Sequence, residues 1–326
     1  MYRGKKKSLL SLLFVLIIPM LTVWAAEIQS QEKYPTRAID FIVALAPGSG
    51  TDFMARVLAD FAKKEWGVPI NVINKPGGNT VPANLEVHRA KPDGYTILCN
   101  TQANCSFLEV STRDLPFKVL DRTFIANVCA APCVLFVNST SSVKNMKDLE
   151  AEVKRDPENF TWGSFGGVGT GDFYMRLFFR AIGVDVSKTR PVTVRGSGET
   201  MTLAAGGHIK VGPSSPPGGL PYVKAGTLRP VVVTTPSRAP EFPDVATAKE
   251  QGYPTLVVWY GISGPPNLPD HIVAKWDEVV QQMLKDQGIV SKLKNVGLAP
   301  FYLNSSNSRK LVEKEMEDAK ELWGFK

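Results

Sequence analysis

Histidine is scarce in this sequence, and the motifs of several common enzyme classes are missing. Only three of the 326 residues are histidine, and His88, His208 and His271 lie far apart. The four cysteines match no zinc-binding spacing, so we expect no metal. No Gly-x-Ser-x-Gly motif is present, which argues against a hydrolase elbow. No Gly-x-Gly-x-x-Gly or P-loop spacing fits either. We therefore expect no catalytic residues and no cofactor.

Positive charge is concentrated at the start of the chain. Four cations within residues 3–7 precede an apolar run over 8–24, and residues 23–25 fit the small-residue cleavage rule. This pattern predicts a signal peptide over 1–26 and a protein exported to the periplasm. An uncleaved membrane anchor is the alternative, and Pro19 within the run favours cleavage. Loss of the four cations lowers the formal net charge from +7 to +3. No basic stripe with interleaved aromatic residues is present, so we expect no nucleic-acid partner.

The four cysteines, Cys99, Cys105, Cys129 and Cys133, would reach an oxidising compartment on export. Full pairing would allow three connectivities. Buried free thiols and one disulfide are both compatible with the sequence, and export slightly favours one pair.

Residues 39–67 predict a strand, a glycine-containing loop and a helix. The strand is apolar and β-branched, and an apolar helical face follows the loop. The first amides of a helix have no intrahelical acceptor, and the helix dipole favours negative charge there. The stretch therefore predicts a site for a small anion, most simply a carboxylate, although an ordinary turn would need the same glycines. Thr51 and Asp52 are the N-cap candidates. The predicted binding residues are Ala46, Pro47, Gly48, Ser49, Gly50, Thr51 and Asp52.

A second loop of the same kind lies at residues 161–172. It also ends in a threonine and an aspartate, and it precedes another helix with one aromatic and apolar face. Two anion-binding helix starts in one chain predict two lobes that hold one ligand between them. The predicted binding residues here are Ser164, Gly166, Gly169, Thr170, Gly171 and Asp172.

Strands alternate with helices along the rest of the chain, which predicts an α/β fold with parallel strands. The second lobe is predicted as an insertion into the first. We place the first lobe at residues 27–134 and 259–326, and the second at 135–258.

Several short motifs resemble those of the substrate-binding receptors of tripartite tricarboxylate transporters. Each motif is short, but their order and spacing together are specific, and they cover nearly all of the chain after the signal peptide. They are the stretches at 34–39, 46–52, 74–78, 92–96, 224–229, 242–245 and 259–261. The resemblance implies the type II periplasmic-binding-protein fold, with two α/β lobes, two crossing strands and a ligand cleft.

The resemblance also implies a function. The ligand would be a small carboxylate held by loop amides, hydroxyls and water, and the partners would be the large and small subunits of a membrane permease. We expect the receptor to be a monomer without enzymatic activity. By position, residues 46–52 and 164–172 would hold the carboxylate, and Ser214, Ser215 and Trp259 would join them.

This chain departs from the family pattern near the far end of the cleft. The family usually has Pro-Tyr-Lys-Gly where this chain has residues 193–196, and it usually has an acidic residue near Lys210. Arg195 or Lys210 could pair with a second carboxylate on the ligand. A solvated cation at a strand end is the alternative for each.

Two further functions remain open on the sequence. A lobed binding protein could signal to a membrane sensor instead of a permease. A secreted hydrolase is the other alternative, although Ser164 lies in a loop better explained as an anion site.

Overall fold

The computed structural model describes residues 34–167 and 169–323. The predicted signal peptide lies outside these residues. All elements named below lie in the compact unit that begins at Ala38. None of the helices in the described residues is long and apolar enough to cross a membrane.

Strands and helices alternate over most of the described chain. The strands are β1 (Ile39–Val43), β2 (Ile70–Asn74), β3 (Thr96–Thr101), β4 (Thr123–Pro132), β5 (Val134–Asn138), β6 (Thr161–Ser164), β7 (Arg190–Thr193), β8 (Gly212–Ser214), β9 (Leu228–Val233), β10 (Val257–Gly264) and β11 (Ala299–Asn304). The helices are α1 (Gly50–Trp66), α2 (Val81–His88), α3 (Leu108–Ser111), α4 (Met146–Arg155), α5 (Thr170–Ala181), α6 (Ser197–Ala205), α7 (Pro216–Lys224), α8 (Asp270–Met283), α9 (Gln287–Lys294) and α10 (Ser305–Trp323). Short 3₁₀ turns occur at Gly78–Thr80, Gln102–Asn104, Val119–Asp121, Pro157–Asn159 and Val186–Lys188.

The first sheet has six strands in the order β11-β4-β10-β3-β1-β2. Strands β1, β2 and β3 are parallel, whereas β10 runs antiparallel to both β3 and β4, and β11 runs antiparallel to β4. Strand β1 is an almost wholly buried apolar segment, as expected for a strand covered on both faces. The sheet is therefore mixed and not all-parallel as predicted, because β10 returns to it from the far part of the chain and inserts between β3 and β4.

The remaining strands build a second layer. Strand β5 lies between β8 and β9 with antiparallel pairing on both sides. Strands β6 and β7 form a parallel pair, and a bridge from Trp162 to Val211 connects this pair with the residues just before β8. Apolar side chains of β5, β9 and α6 pack together in a cluster that includes Phe136, Met201 and Phe242.

The chain crosses between the two layers twice, and the two crossings are hydrogen-bonded to each other. Cys133 stands between β4 and β5, and its carbonyl accepts the Thr234 amide at 2.9 Å. The Thr234 hydroxyl in turn accepts the Cys133 amide and donates to the Leu256 carbonyl. Two layers joined by two adjacent crossings agree with the predicted two-lobe α/β fold. The predicted lobe boundaries at 134/135 and 258/259 stay a prediction.

Of the two alternatives that the sequence leaves open for the cysteines, the structure shows buried free thiols and not the slightly favoured disulfide. All four thiols are free and buried. Cys129 and Cys133 lie four residues apart along extended chain, a span of about 13 Å and far beyond disulfide reach. Cys99 lies on β3 and Cys129 lies on β4, and these strands flank β10 on opposite sides, so they are about 10 Å apart.

Candidate functional site

A cavity of about 50 Å³ lies where the N-termini of four helices meet. Helix α1 reaches the cavity with Gly50 and Thr51, and helix α5 reaches it with Thr170 and Gly171. Helix α6 reaches it with its N-cap Gly196 and its first residue Ser197, and helix α7 reaches it with its N-cap Ser215. The polar residues lining the cavity are Ser49, Thr51, Thr101, Thr170, Ser197, Ser214, Ser215 and Tyr260. Elements of both layers therefore share one cavity, in which these polar groups stand among apolar residues.

The start of α1 is organised by Ser49 and Asp52. Ser49 is the N-cap, because its extended backbone precedes the helix and its hydroxyl accepts the Asp52 amide. Thr51 and Asp52, which the sequence suggested as caps, lie inside the first turn. The Asp52 carboxylate accepts the Gly48 amide at 3.0 Å and the Asn74 side-chain amide at 2.9 Å. Arg56 forms an ion pair with Asp52 at 3.0 Å.

The start of α5 is organised by a more deeply buried carboxylate. Asp172 is completely buried and accepts the amides of Phe165, Gly167 and Gly169 at 2.9–3.1 Å. The Ser164 hydroxyl also donates to it. Asp172 therefore fixes the loop around itself, and its oxygens are not available to a ligand.

The two aspartates have opposite pKa shifts. Burial raises the pKa of Asp52, but the hydrogen bonds from Arg56, Gly48 and Asn74 outweigh burial and leave it below the usual range. Burial raises the pKa of Asp172 above the usual range, and its hydrogen bonds reverse this only in part. The difference follows from burial and from the donors, since Asp52 has the Arg56 ion pair, whereas the more deeply buried Asp172 accepts hydrogen bonds from a hydroxyl and backbone amides.

Four amides at the helix starts are left without acceptors. In the described part of the chain the amides of Gly50, Thr51, Thr170 and Gly171 have no hydrogen-bond partner. All four residues line the cavity. Unpaired first-turn amides together with the helix dipoles form an anion-binding environment.

Glycines allow these helices to approach each other closely. A Cβ on Gly50 would lie 2.5 Å from the Tyr260 hydroxyl, and one on Gly196 would lie 2.8 Å from the Ala46 Cβ. A Cβ on Gly171 would meet Pro213 at 2.8 Å. Because real Cβ atoms do not pack at these distances, any larger residue would push the lining of the cavity apart.

Two buried hydroxyls of the cavity have no hydrogen-bond partner among the described residues. They are Thr51 Oγ1, from the first layer, and Ser214 Oγ, from the second. Thr51 is 2% exposed and Ser214 is 5% exposed. A buried hydroxyl without a partner is costly, so such groups usually face a ligand or water.

The cavity contains no charged side chain among the residues that the structure describes. Its lining consists of hydroxyls, glycines and apolar residues, and the nearby Asp52 and Asp172 are turned into their own loops. An anion held here would be bound by helix N-termini and hydroxyls instead of by a salt bridge. The described residues contain no cluster of histidine, cysteine or acidic residues able to hold a metal ion.

The structure brings only part of the predicted residues to the cavity. Those that line it are Ser49, Gly50, Thr51, Thr170, Gly171, Ser214 and Ser215. Ala46 packs against Gly196, and Gly166 packs against Asn79. Five other predicted residues hold the conformation of the two loops without lining the cavity, namely Gly48 (φ +81°), Asp52, Ser164, Gly169 and Asp172. Pro47 does not line the cavity either.

Trp259 and Arg195 lie elsewhere. Trp259 is buried, and its indole N–H donates to the Glu315 carboxylate on α10 at 2.9–3.0 Å. Arg195 lines a second, outer cavity.

Several lining residues were not predicted from the sequence. Tyr260 lines the cavity in place of Trp259, because neighbouring residues of a strand point to opposite faces. Gly196 and Ser197 line it because α6 begins at Ser197, with Gly196 as its N-cap. Their pattern, a glycine and a small polar residue before a helix, repeats that of the first loop. No comparable sequence pattern marks the lining residues Thr101, Ala103 and Cys133.

The fold and the cavity define a class of protein. Two α/β layers joined by adjacent crossings, with helix N-termini around a cavity between them, are the architecture of periplasmic binding proteins. A solved structure described as a periplasmic transporter has a TM-score of 0.84 and 29% identity, covering 90% of this chain and 98% of that one. A Rhodopseudomonas palustris protein solved with adipate has a TM-score of 0.84 at 24% identity, covering 89% and 97%, and shows the same fold.

The family follows from the sequence match. Residues 54–323 match the family described as the tripartite tricarboxylate transporter family receptor, and this chain belongs to that family. A protein of the gbd 5' region of Cupriavidus necator is 30% identical over 276 residues, which is 84% of this chain and 83% of the relative. BugT of Bordetella pertussis is 26% identical over 310 residues, 94% of each chain.

Proposed function

We propose that this protein is an extracytoplasmic receptor that binds a small carboxylate between its two lobes and delivers it to a membrane permease. Membership of the tripartite tricarboxylate family supports a permease with one large and one small subunit as the partner. The protein acts as a monomer in the periplasm after loss of residues 1–26.

One observation carries the proposal. Unpaired amides of two helix starts line one cavity together with the hydroxyls of Thr51 and Ser214, which have no partner among the described residues. Every one of these groups can donate a hydrogen bond, and no carboxylate of the described chain lines the cavity to compete with an anion. A carboxylate is small, planar and able to accept several such bonds at once.

The related solved structures support the ligand class. One neighbour, MatC of Rhodopseudomonas palustris, was solved with malate, and another protein of that organism was solved with adipate. Both ligands are carboxylates. At 23% and 24% identity they support the class and not the individual ligand.

The arrangement does not support a hydrolase. The Ser164 hydroxyl donates to Asp172 and accepts the Gly167 amide, so it belongs to the loop and does not line the cavity. None of the three histidines lines the cavity, so the serines there lack a neighbouring base.

Thermal unfolding with a ligand panel tests the proposal. Mono-, di- and tricarboxylates are compared with their amides and with sugars of similar size, using the chain without residues 1–26. A bound ligand at one hundred times its Kd stabilises by about 2.7 kcal/mol, which raises Tm measurably. We expect at least one carboxylate to raise Tm while its amide does not. If a neutral solute raised Tm and every carboxylate failed, the proposal would be wrong.

A further inference from the structure

A second cavity of about 290 Å³ adjoins the inner one. The two share Leu45 and Phe165 in their linings. From the first lobe the outer cavity is lined by residues 77–80, and from the second by residues 193–195 and Glu199. It therefore also lies between the lobes.

The first-lobe wall is a loop with an unusual backbone. Gly77, Gly78, Asn79 and Thr80 all have positive φ angles, and Asn79 (φ 50°) and Thr80 (φ 66°) are not glycine. Such conformations persist only where the surroundings hold them, and they concentrate at functional sites. Asn79 is packed against the second lobe so closely that a Cβ on Gly166 would lie 2.1 Å from its amide oxygen.

This backbone places a buried hydroxyl at the outer cavity. Thr80 is 5% exposed, and within the described residues its Oγ1 has no hydrogen-bond partner. Thr80 lines the outer cavity, as the unpartnered hydroxyls of Thr51 and Ser214 line the inner one.

The second-lobe wall contributes a cation. No hydrogen bond or ion pair engages the Arg195 guanidinium within the described part of the chain, and the residue lines the outer cavity. Lys210, the other candidate from the sequence, is instead paired with Glu152 at 3.2 Å. Of the two candidate cations, Lys210 is therefore engaged by Glu152, whereas Arg195 lines the outer cavity.

We propose that the outer cavity is a second binding subsite, in which Arg195 and Thr80 hold a second carboxylate of the same ligand. The subsite rests on the proposed function, since the first carboxylate occupies the inner cavity. Arg195 is then the residue that selects a ligand with two acidic groups over one with a single acidic group.

The balance of free donors favours a carboxylate over an ammonium group. The guanidinium offers five N–H donors, and Thr80 adds a hydroxyl. Glu199 is the one carboxylate among the described lining residues, and it already accepts the Arg195 amide at 2.8 Å. Bidentate pairing with Arg195 would make the contact specific for a planar anion.

Calorimetric titration with matched acids tests the subsite. Succinate, glutarate and adipate are compared with butyrate, valerate and hexanoate, which have the same chain lengths and one carboxylate. We expect at least one diacid to bind the wild-type protein roughly tenfold or more tightly than its monoacid, as a charge-assisted pair allows. Arg195→Gln should remove this advantage and leave monoacid binding within about twofold.

Two further variants test whether the diacid advantage depends on the outer cavity. Lys210→Gln removes a cation outside the cavity and should leave the diacid advantage unchanged. Thr80→Val keeps the side-chain shape and should reduce the advantage by a smaller factor than Arg195→Gln. Circular dichroism and Tm establish that each variant is folded.

Several outcomes would overturn the subsite. The diacid advantage could survive in Arg195→Gln, or the wild type could bind monoacids as tightly as every diacid. Preference for γ-aminobutyrate over succinate would assign the outer cavity to an ammonium group beside Glu199 instead. If no acid of either series bound while another solute did, the proposed function itself would fail, which is distinguishable from loss of the diacid advantage alone.

Discussion

Asp52 and Asp172 occupy equivalent positions in two similar loops, yet they hold their loops in different ways. Asp52 is paired with a cation, whereas Asp172 is buried among amides and a hydroxyl. The sequence predicts both aspartates as ligand contacts. In the structure both carboxylates accept hydrogen bonds from their own loops, and the neighbouring Thr51 and Thr170 line the cavity.

Replacement of Asp172 by asparagine should destabilise the protein strongly. One carboxylate oxygen would become an NH₂ group facing N–H donors, so buried donors would lose their acceptor. We expect unfolding free energy to fall by about 2–4 kcal/mol, measured by urea denaturation. Asp148→Asn is the matched control, because the half-buried Asp148 accepts the Lys144 amide at the start of α4. Equal effects of the two substitutions would contradict this role of Asp172.

Glu315 makes stability depend on pH. Burial raises its pKa to about 7 against the hydrogen bonds from Ser106, Trp259 and Gln102, and Asp318 raises it further. The folded state then binds more protons than the unfolded state between the ordinary pKa of 4.5 and about 7. Unfolding free energy should therefore fall as pH rises through this window, by roughly 3 kcal/mol at most.

Urea denaturation at a series of pH values across this window measures the dependence. Glu315→Gln should remove most of the slope assigned to Glu315. Glu313→Gln, which alters an exposed residue of the same helix, should leave the slope as in the wild type. Parallel profiles for the wild type and Glu315→Gln would show that Glu315 does not titrate in this window.

At the scale of elements, the cavity is built from helix starts, and its dimensions depend on glycines. Gly50→Ala would place a methyl group against Tyr260 and Ser215, at 2.5 and 3.0 Å from their hydroxyls. Because Gly50 lies in the first turn of α1, the backbone tolerates alanine and only the cavity suffers. We expect carboxylate affinity to fall by tenfold or more, roughly 1.4 kcal/mol, by calorimetry.

Gly198→Ala is the control for this prediction. Gly198 lies in α6, and a Cβ added there would meet no atom within 4 Å. Alanine should therefore leave affinity unchanged and stabilise the helix by up to about 1 kcal/mol. If Gly50→Ala and Gly198→Ala bound ligand equally well, α1 would not form a wall of the ligand site.

Strong local signals made most elements predictable. Short stretches of neighbouring residues predict the Gly67 C-cap, the apolar strand β1, and the Ser-Gly and Thr-Gly helix starts. The position of β10 is not, because its place between β3 and β4 depends on pairing between distant parts of the chain. The same pairing decides that Tyr260 and not Trp259 lines the cavity, because the register of a strand in the assembled sheet fixes which of its side chains face each side.

On the scale of the whole molecule, the two lobes are connected at a compact hinge. Cys133, Thr234 and Leu256 bond the two crossings to each other. Contacts between the lobes include the stacked rings of Phe107 and Phe173, whose centroids lie 4.0 Å apart. Such an arrangement predicts opening and closing about the crossings with the ligand between the lobes.

Solution scattering measures this motion. A bound carboxylate should reduce the radius of gyration, because it adds hydrogen bonds to both lobes at once. Its neutral amide, added at the same concentration, should not. An unchanged radius at saturating ligand, with binding shown by calorimetry, would mean that the unliganded protein is already closed.

The central claim is that the hydroxyls of Thr51 and Ser214, unpartnered within the described chain, serve an anion and not the fold. The most direct test measures unfolding free energy without ligand and carboxylate affinity for Thr51→Val and Ser214→Ala. Removing a buried hydroxyl that has no partner should leave stability unchanged or higher, while affinity should fall by about 1–2 kcal/mol for each variant. Lower stability with wild-type affinity would contradict the account and place the ligand elsewhere.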